Sequence, residues 1–252
     1  MFNEARLLTS RGVLETDYTK QGKTDRNYDH GNCRVLRKIR EDWDERARQN
    51  ARYFIADGRT EWAEEDFYAS GDQTVAQDIL TDMTNICQGL DPRQMRVLEL
   101  GCGAARVTRA LAKVFGEVHG VDASQEMVRR ARSAMVGFPN TFIHQTDGAT
   151  LTGLGDLTLD FAYSCCVFHH ISSYEVIECL VREVGRRLRP GALFKFEVQG
   201  CTSVTTSSGE TWLGVPFSLE QAEEMAQKCG FELRYHVGAG QERFWLWYFK
   251  PR

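Results

Sequence analysis

Between Val97 and Arg106 the chain reads VLELGCGAAR, a short apolar run that ends in a carboxylate, two glycines and a string of small residues. That pattern is a strand turning sharply into a helix. Gly101 and Gly103 let the backbone take positive φ and let a ligand approach without meeting a Cβ, while the helix beginning beside them presents unsatisfied N–H groups. A nucleotide-like ligand suits such a turn. The dinucleotide fingerprint GxGxxG needs a third glycine at position 106, where this chain has Arg106, so the standard dinucleotide turn is excluded. Asp122 closes the run VHGVD about 20 positions after Gly101, the spacing at which an acid meets ribose hydroxyls in nucleotide-binding βαβ units. The plainer role for Asp122 is to favour the dipole of the helix that follows. Ala123, Ser124 and Met127 come next, with Met127 offering an apolar surface to an adenine face. His169 and His170, in CCVFHHI, titrate near neutrality, so one of them could take a proton from a substrate hydroxyl or position it. A packing role is the alternative for either. Asp147 ends the run HQTDGAT, where an Asp-Gly pair taken alone marks a turn. Arg106 is expected on a helix surface.

The elements that must position these residues alternate along the chain. Val35, Ile39, Trp43, Ala47, Ala51 and Phe54 recur at helical spacing and predict an amphipathic helix. Docking is the preferred role for its aromatic residues, with Tyr53 or Phe54 as a lid the alternative. A second helix is expected after Asp72 as N-cap, with Val75, Ile79, Met83 and Ile86 on one face, ending before Asp91-Pro92. Strands follow at 96–101, 118–122, 141–146, 159–167 and 192–198. Helices are expected at 105–115, from Ser124, from about 173 to 188 after a capping box Ser172-x-x-Glu175, and after Ser218-x-x-Gln221. Such alternation predicts a parallel sheet covered on both faces. The fourth strand should end beside the first, where a crevice opens above the carboxyl ends of the strands, so Ser164 to His170 should face the glycine turn. Two β-rich runs, 231–237 and 244–249, joined by GAGQER, predict a terminal antiparallel hairpin. The Ser/Thr-rich stretch 200–217 is a long connection at the edge where substrate pockets are built.

A length of 252 residues fits one large α/β domain, and the net charge of -4 gives no general attraction for nucleic acid or anionic lipid. No apolar run approaches the roughly 20 residues that cross a bilayer, and the N-terminus MFNEARLLTSRG lacks the apolar centre of a signal peptide, so a cytoplasmic location is expected. Residues 1–34 are polar without a sustained period and read as a flexible tail. The eight cysteines are scattered and read as reduced core thiols, and Cys165-Cys166 is expected to point to opposite faces of a strand. No structural metal is expected, because no Cys/His group has zinc-ligand spacing.

With Glu99 two residues before Gly101, the turn resembles the first motif of class I S-adenosylmethionine-dependent methyltransferases, E/D-x-G-x-G-x-G, with Ala105 where a third glycine is common. The parallel alternation closed by a hairpin resembles the same fold, whose seventh strand is antiparallel, and the resemblance runs from about Asp72 to Lys250. It implies a Rossmann-like three-layer α/β sandwich with a mostly parallel seven-stranded sheet, an antiparallel C-terminal hairpin and N-terminal helices. The domain would span 35–252, with lid helices at 35–90 and the core at 91–252. The implied cofactor is S-adenosylmethionine, with S-adenosylhomocysteine as product. Glu99, Gly101, Cys102 and Gly103 would surround the methionine end; Asp122, Ala123, Ser124 and Met127 the nucleoside. Asp147 would accept from the adenine amino group, with the Gly148 N–H at the ring and Ser164 at the neighbouring strand end. A histidine in a similar Val-Phe-x-His-Ile string in many members sets His170 toward the pocket, as substrate contact or base, and His169 away from it. The implied activity is methyl transfer to oxygen or nitrogen of a small-molecule acceptor. A protein or RNA side group as acceptor, or a non-catalytic module that only holds the cofactor, are the competing readings.

Overall fold

The structure, a computed structural model, describes residues 30–56, 59–203 and 211–252, with side chains from residue 33 onward. The tail expected at 1–34 lies largely outside the described residues, as does 204–210 within the Ser/Thr-rich connection. The first helix, α1 (His30–Ile55), begins five positions before the Val35 at which it was expected and kinks at Asn50. It is followed by α2 (Glu64–Asp78), α3 (Met83–Cys87), β1 (Arg96–Leu100), α4 (Arg106–Leu111), β2 (Glu117–Asp122), α5 (Gln125–Ala134), β3 (Thr141–Gln145) and β4 (Leu159–Ser164). The chain ends with α6 (Tyr174–Arg187), β5 (Leu188–Gln199), α7 (Leu219–Lys228), β6 (Glu232–Val237) and β7 (Arg243–Phe249). The sheet order is β3-β2-β1-β4-β5-β7-β6, with β1 to β5 parallel and β7 antiparallel to both neighbours.

Alternation along the strands sends side chains to two cores. Leu98, Leu100 and Ala162 join the layer formed with α6 and α7, whose Val176, Leu180, Val184 and Met225 are buried there. Val97, Val118 and Phe161 face the other layer, with Val75 of α2, Val107 and Leu111 of α4 and Ala131 of α5. This is the three-layer arrangement that parallel strands require, since neither face of such a sheet can meet water. Helix α1 lies outside both layers, with Ala47 and Ala51 on Met127 of α5 and Leu36 and Ile39 reaching the α6 side.

Among the boundaries that differ from expectation, three bear on the site. Helix α2 starts at Glu64 rather than after Asp72: its N-cap is Ala63, with no side-chain cap, and Glu64, Glu65 and Asp66 supply negative charge to the first turn instead. Asp72 sits mid-helix and pairs with Lys113 at 2.6 Å. Helix α6 is capped by Ser173, whose Oγ accepts from the Val176 N–H at 3.3 Å, whereas Ser172 Oγ is buried without a partner. Strand β4 stops at Ser164, and the chain then makes a one-turn 3-10 helix at Phe168–His170.

Candidate active site

The carboxyl ends of β1, β2 and β4 meet where the sheet order reverses, and a cavity opens there under α1. Gly101, Gly103 and Ala105 all take positive φ, at 74°, 52° and 66°. Ala105 therefore occupies the left-handed turn that a third glycine would take without strain. The Gly101 and Cys102 N–H groups both donate to the Val121 carbonyl, at 2.8 and 2.9 Å, which ties the turn to β2. A Cβ on Gly101 would lie 2.2 Å from a Val167 methyl, and one on Gly103 would lie 2.9 Å from Ile55 Cδ1. The glycines thus leave only the space that the facing walls demand.

Two carboxylates face this cavity. Asp122 accepts from the Gly103 N–H at 2.9 Å and from the Ser124 N–H at 2.8 Å. Although Asp122 is partly open to the cavity, the surrounding protein removes enough water to raise it to about 6 against the pull of those N–H groups. Glu99 accepts from the Thr108 hydroxyl. Burial pushes it to about 8; Thr108 and the Arg106 charge pull it down, and the like charge of Asp122 pushes it further up. Arg106 does not offset the burial of these two acids, and a ligand carrying positive charge would add to its pull. Arg106 also borders the cavity, but its Nη1 donates to the Ser70 carbonyl and the Thr74 hydroxyl of α2.

Glu99, Gly101, Cys102 and Gly103 line the cavity on the turn side, with Asp122, Ala123 and Met127 beside them. Gly148 and His170 complete the expected set that lines it. Ser124, Asp147 and Ser164 do not. Ser124 Oγ caps α5, accepting from the Met127 N–H, and donates to Asp44 of α1 at 2.6 Å. Ser164 Oγ donates to the Leu100 carbonyl, joining the ends of β4 and β1. The Asp147 carboxylate accepts from the Ala149 and Thr150 N–H groups and the Thr150 hydroxyl, so it closes its own turn while Thr146 and Gly148 line the cavity.

His170 lies between Trp43 and Trp212, each ring centre 5.0 Å away. Its Nδ1–H donates to the Trp212 carbonyl at 2.7 Å, which in the neutral ring makes Nε2 the basic nitrogen. His169 is outside the cavity lining and its Nε2–H donates to the Glu242 carbonyl at 2.9 Å. The separation of the two histidines comes from the 3-10 turn, not from strand alternation.

The sequence reading did not assign Ile39, Trp43 and Ile55 to this cavity, and it offered Phe54 only as a lid alternative to docking; all four line it from α1. The Arg46 guanidinium stacks over Trp43 and Trp212 and donates to the Thr211 carbonyl and hydroxyl, strapping α1 to the segment after the fifth strand. Cys165 and Cys166 correct a further expectation. They lie beyond β4, both border the cavity, and their sulfurs are 3.6 Å apart rather than on opposite faces. Among the described residues, Cys165, Cys166 and Glu197 each bring a possible ligand atom within 4.8 Å of the others.

Residues 97–191 match a family model described as a methyltransferase domain. A putative methyltransferase of Bacillus subtilis, YqeM, is 30% identical over 109 residues, 42% of this chain and 43% of that protein. The match therefore spans less than half of the relative's length. The structure of DhpI with S-adenosylhomocysteine superposes with a TM-score of 0.60 at 18% identity, over 89% of this chain and 100% of that one. Magnesium protoporphyrin IX methyltransferase ChlM of Synechocystis, with S-adenosylhomocysteine bound, gives 0.60 at 16% identity, over 84% and 98%. At these identities the two structures establish the fold. The domain match lies over the glycine turn, and the chain shares the fold of these methyltransferases.

Proposed function

We propose that this protein is an S-adenosylmethionine-dependent methyltransferase that methylates an oxygen or nitrogen of a small molecule and releases S-adenosylhomocysteine. The observation that carries the reading is the meeting, in one cavity, of the positive-φ turn at Gly101 and Gly103, the raised carboxyls of Glu99 and Asp122, and His170. The residues fit the cofactor: the turn leaves room for backbone approach, Asp122 has acceptor capacity for ribose hydroxyls beside its two N–H partners, and Glu99 gains from a cationic ligand. Asp147 would need to leave its turn to reach an adenine amino group, so Gly148, which lines the cavity, is the better candidate at the ring.

The cofactor supplies a methyl group already activated on a sulfonium, so the chain needs no nucleophile. Its residues fix the geometry instead, and holding acceptor and donor at attack distance can remove about 7 to 11 kcal/mol of barrier. The α1 side chains Ile39, Trp43, Phe54 and Ile55 close the cavity from outside and exclude water. The bond to Trp212 holds the His170 ring, whose Nε2 can take the acceptor's proton. An acceptor enclosed beneath α1 is small, which favours a free molecule over a side group on a macromolecule.

The test is incubation with methyl-labelled S-adenosylmethionine and a cell extract split into small-molecule, protein and RNA fractions. Label in the small-molecule fraction, with S-adenosylhomocysteine formed in equal amount, is expected. Label confined to protein or RNA would overturn the acceptor class, and cofactor binding without any transfer would leave a binding module.

A further inference from the structure

Cys165 and Cys166 border the cavity, yet methyl transfer as derived above uses neither sulfur. Besides the 3.6 Å between sulfurs, Cys166 has a φ of 57°, a left-handed conformation that non-glycine residues seldom take. The Arg243 guanidinium of β7 lies on both sulfurs, with Nη2 2.9 Å from Cys166 Sγ and 3.4 Å from Cys165 Sγ. Glu197 of β5, fully buried, holds that guanidinium through Nε at 2.8 Å and Nη2 at 2.9 Å, and also accepts the Cys166 N–H at 2.7 Å. His169 Nδ1 stands 4.0 Å from the same carboxylate. Glu197 Oε1 lies 3.4 Å from Cys165 Sγ, while the guanidinium sets positive charge against both sulfurs, the kind of surrounding in which reactive thiols occur. The same charge opposes a metal cation among these ligands, which is why the geometric cluster is not read as a metal site.

We propose that Cys165 and Cys166 form a redox-active dithiol that hydrogen peroxide converts to a vicinal disulfide, and that the oxidised form binds the cofactor more weakly. The coupling rests on the cofactor reading above; the bridge does not. In the first step the Cys166 thiolate attacks one peroxide oxygen and the O–O bond breaks. Hydroxide leaves, takes up the proton that the thiol gave away, and Cys166 becomes a sulfenic acid. Cys165 sulfur then displaces the hydroxyl, which departs as water with the Cys165 proton. Two thiols are oxidised and one peroxide is reduced to two waters. The contact with Cys166 and burial push the Cys165 thiol well above its usual range, so it keeps its proton through the first step.

The bridge acts on the cavity through the backbone. The sulfurs must close to about 2.05 Å, while adjacent Cα atoms stay about 3.8 Å apart, below the span that a relaxed disulfide prefers. The strain falls on the 165–166 peptide and on Val167, whose methyl occupies the space 2.2 Å from where a Gly101 Cβ would lie. A shift of that wall changes the cradle at the glycine turn. Strain also makes the bridge easily reduced by ordinary thiols.

The reduced full chain is treated with hydrogen peroxide and followed by intact mass, peptide mapping and calorimetric titration with S-adenosylhomocysteine. The expected result is a loss of about 2 Da located at the 165–166 peptide and an affinity at least about fivefold weaker, restored by dithiothreitol. By reciprocity, saturating S-adenosylhomocysteine slows the oxidation. In Cys165→Ser and Cys166→Ser, peroxide leaves each variant's own affinity unchanged. A bridge to another cysteine, stable sulfinic acid at Cys166, persistent free thiols, or stoichiometric zinc in the protein as purified overturns the dithiol. A bridge with unaltered affinity overturns the coupling. A reduced protein that binds no S-adenosylhomocysteine overturns the cofactor reading instead, while the mass still decides the bridge.

Discussion

Burying a carboxyl raises its proton affinity unless nearby charge offsets the lost water, and the cavity does this twice beside the same turn. Asp122 has hydrogen-bond partners in Gly103 and Ser124, so removing its side chain leaves two N–H groups that the ribose hydroxyls cannot satisfy in the same way. Asp122→Ala is expected to weaken S-adenosylhomocysteine binding by about 1.5 to 3 kcal/mol, the range for hydrogen bonds to a charged group, with the domain still folded. Calorimetry checks it, and unchanged affinity would remove the ribose role. His170→Ala is expected to lower turnover by roughly 10² to 10⁴ and to abolish a pH dependence near neutrality, with cofactor affinity retained. A loss confined to acceptor KM would make His170 a positioning residue. His169→Ala should leave both parameters near wild type, because that ring lies outside the cavity lining and bonds the Glu242 carbonyl.

At the scale of elements, helix starts and close helix contacts decide which surfaces face the site. Helix α6 follows the His170 turn, and its cap is Ser173 although Ser172 has the capping-box spacing to Glu175. Glu175 instead accepts from the Ser173 hydroxyl at 2.7 Å. Ser173→Ala is expected to cost about 1 kcal/mol, whereas Ser172→Ala, which removes a buried hydroxyl without a partner, should cost less or stabilise. Urea denaturation of the two variants compares them directly, and a larger loss at Ser172 would reverse the assignment. Helix α2 crosses α4 so closely that a Cβ on Gly71 would lie 2.0 Å from the Arg106 carbonyl oxygen. Gly71, directly before the Asp72 expected as N-cap, instead allows a close crossing in the middle of the helix.

At the scale of the molecule, the raised carboxyls couple stability to pH. Unfolded, Glu99 would ionise near 4.5 and Asp122 near 3.8; folded without ligand they ionise near 8 and near 6. In each window the folded chain holds a proton that the unfolded chain has lost. Stability from these groups is therefore complete below the unfolded values and declines as pH rises to about 6 for Asp122 and to about 8 for Glu99. Glu99→Gln, which cannot ionise, is expected to raise the melting temperature of the ligand-free protein relative to wild type at pH 8, with the difference shrinking toward pH 5. The same variant should bind S-adenosylmethionine more weakly, since the carboxylate that the empty fold penalises is the one a cationic ligand uses. Melting curves across pH 5 to 8.5 measure the first effect, and a difference that grows toward low pH would contradict the burial argument.

Sequence alone determined what local chemistry and period determine. The glycines before α4, the acid ending β2, the alternation of strands and helices and the terminal hairpin are short-range patterns, and each was found within a few residues of its expected place. The capping box at Ser218 and Gln221 is formed as its spacing implies. What the tertiary structure decided is where patterns meet across long separations or compete at one position. Nothing local to Ile39, Trp43 or Ile55 distinguishes a helix face that docks from one that closes a cavity. That depends on α1 lying across the ends of strands more than forty residues further along. Asp147 could satisfy its carboxylate in its own turn or on a ligand, and proximity of the next three residues selects the turn. A period of two places Cys165 and Cys166 on opposite faces only while the strand continues; it stops at Ser164, and Arg243, from the far end of the chain, draws both sulfurs to one side.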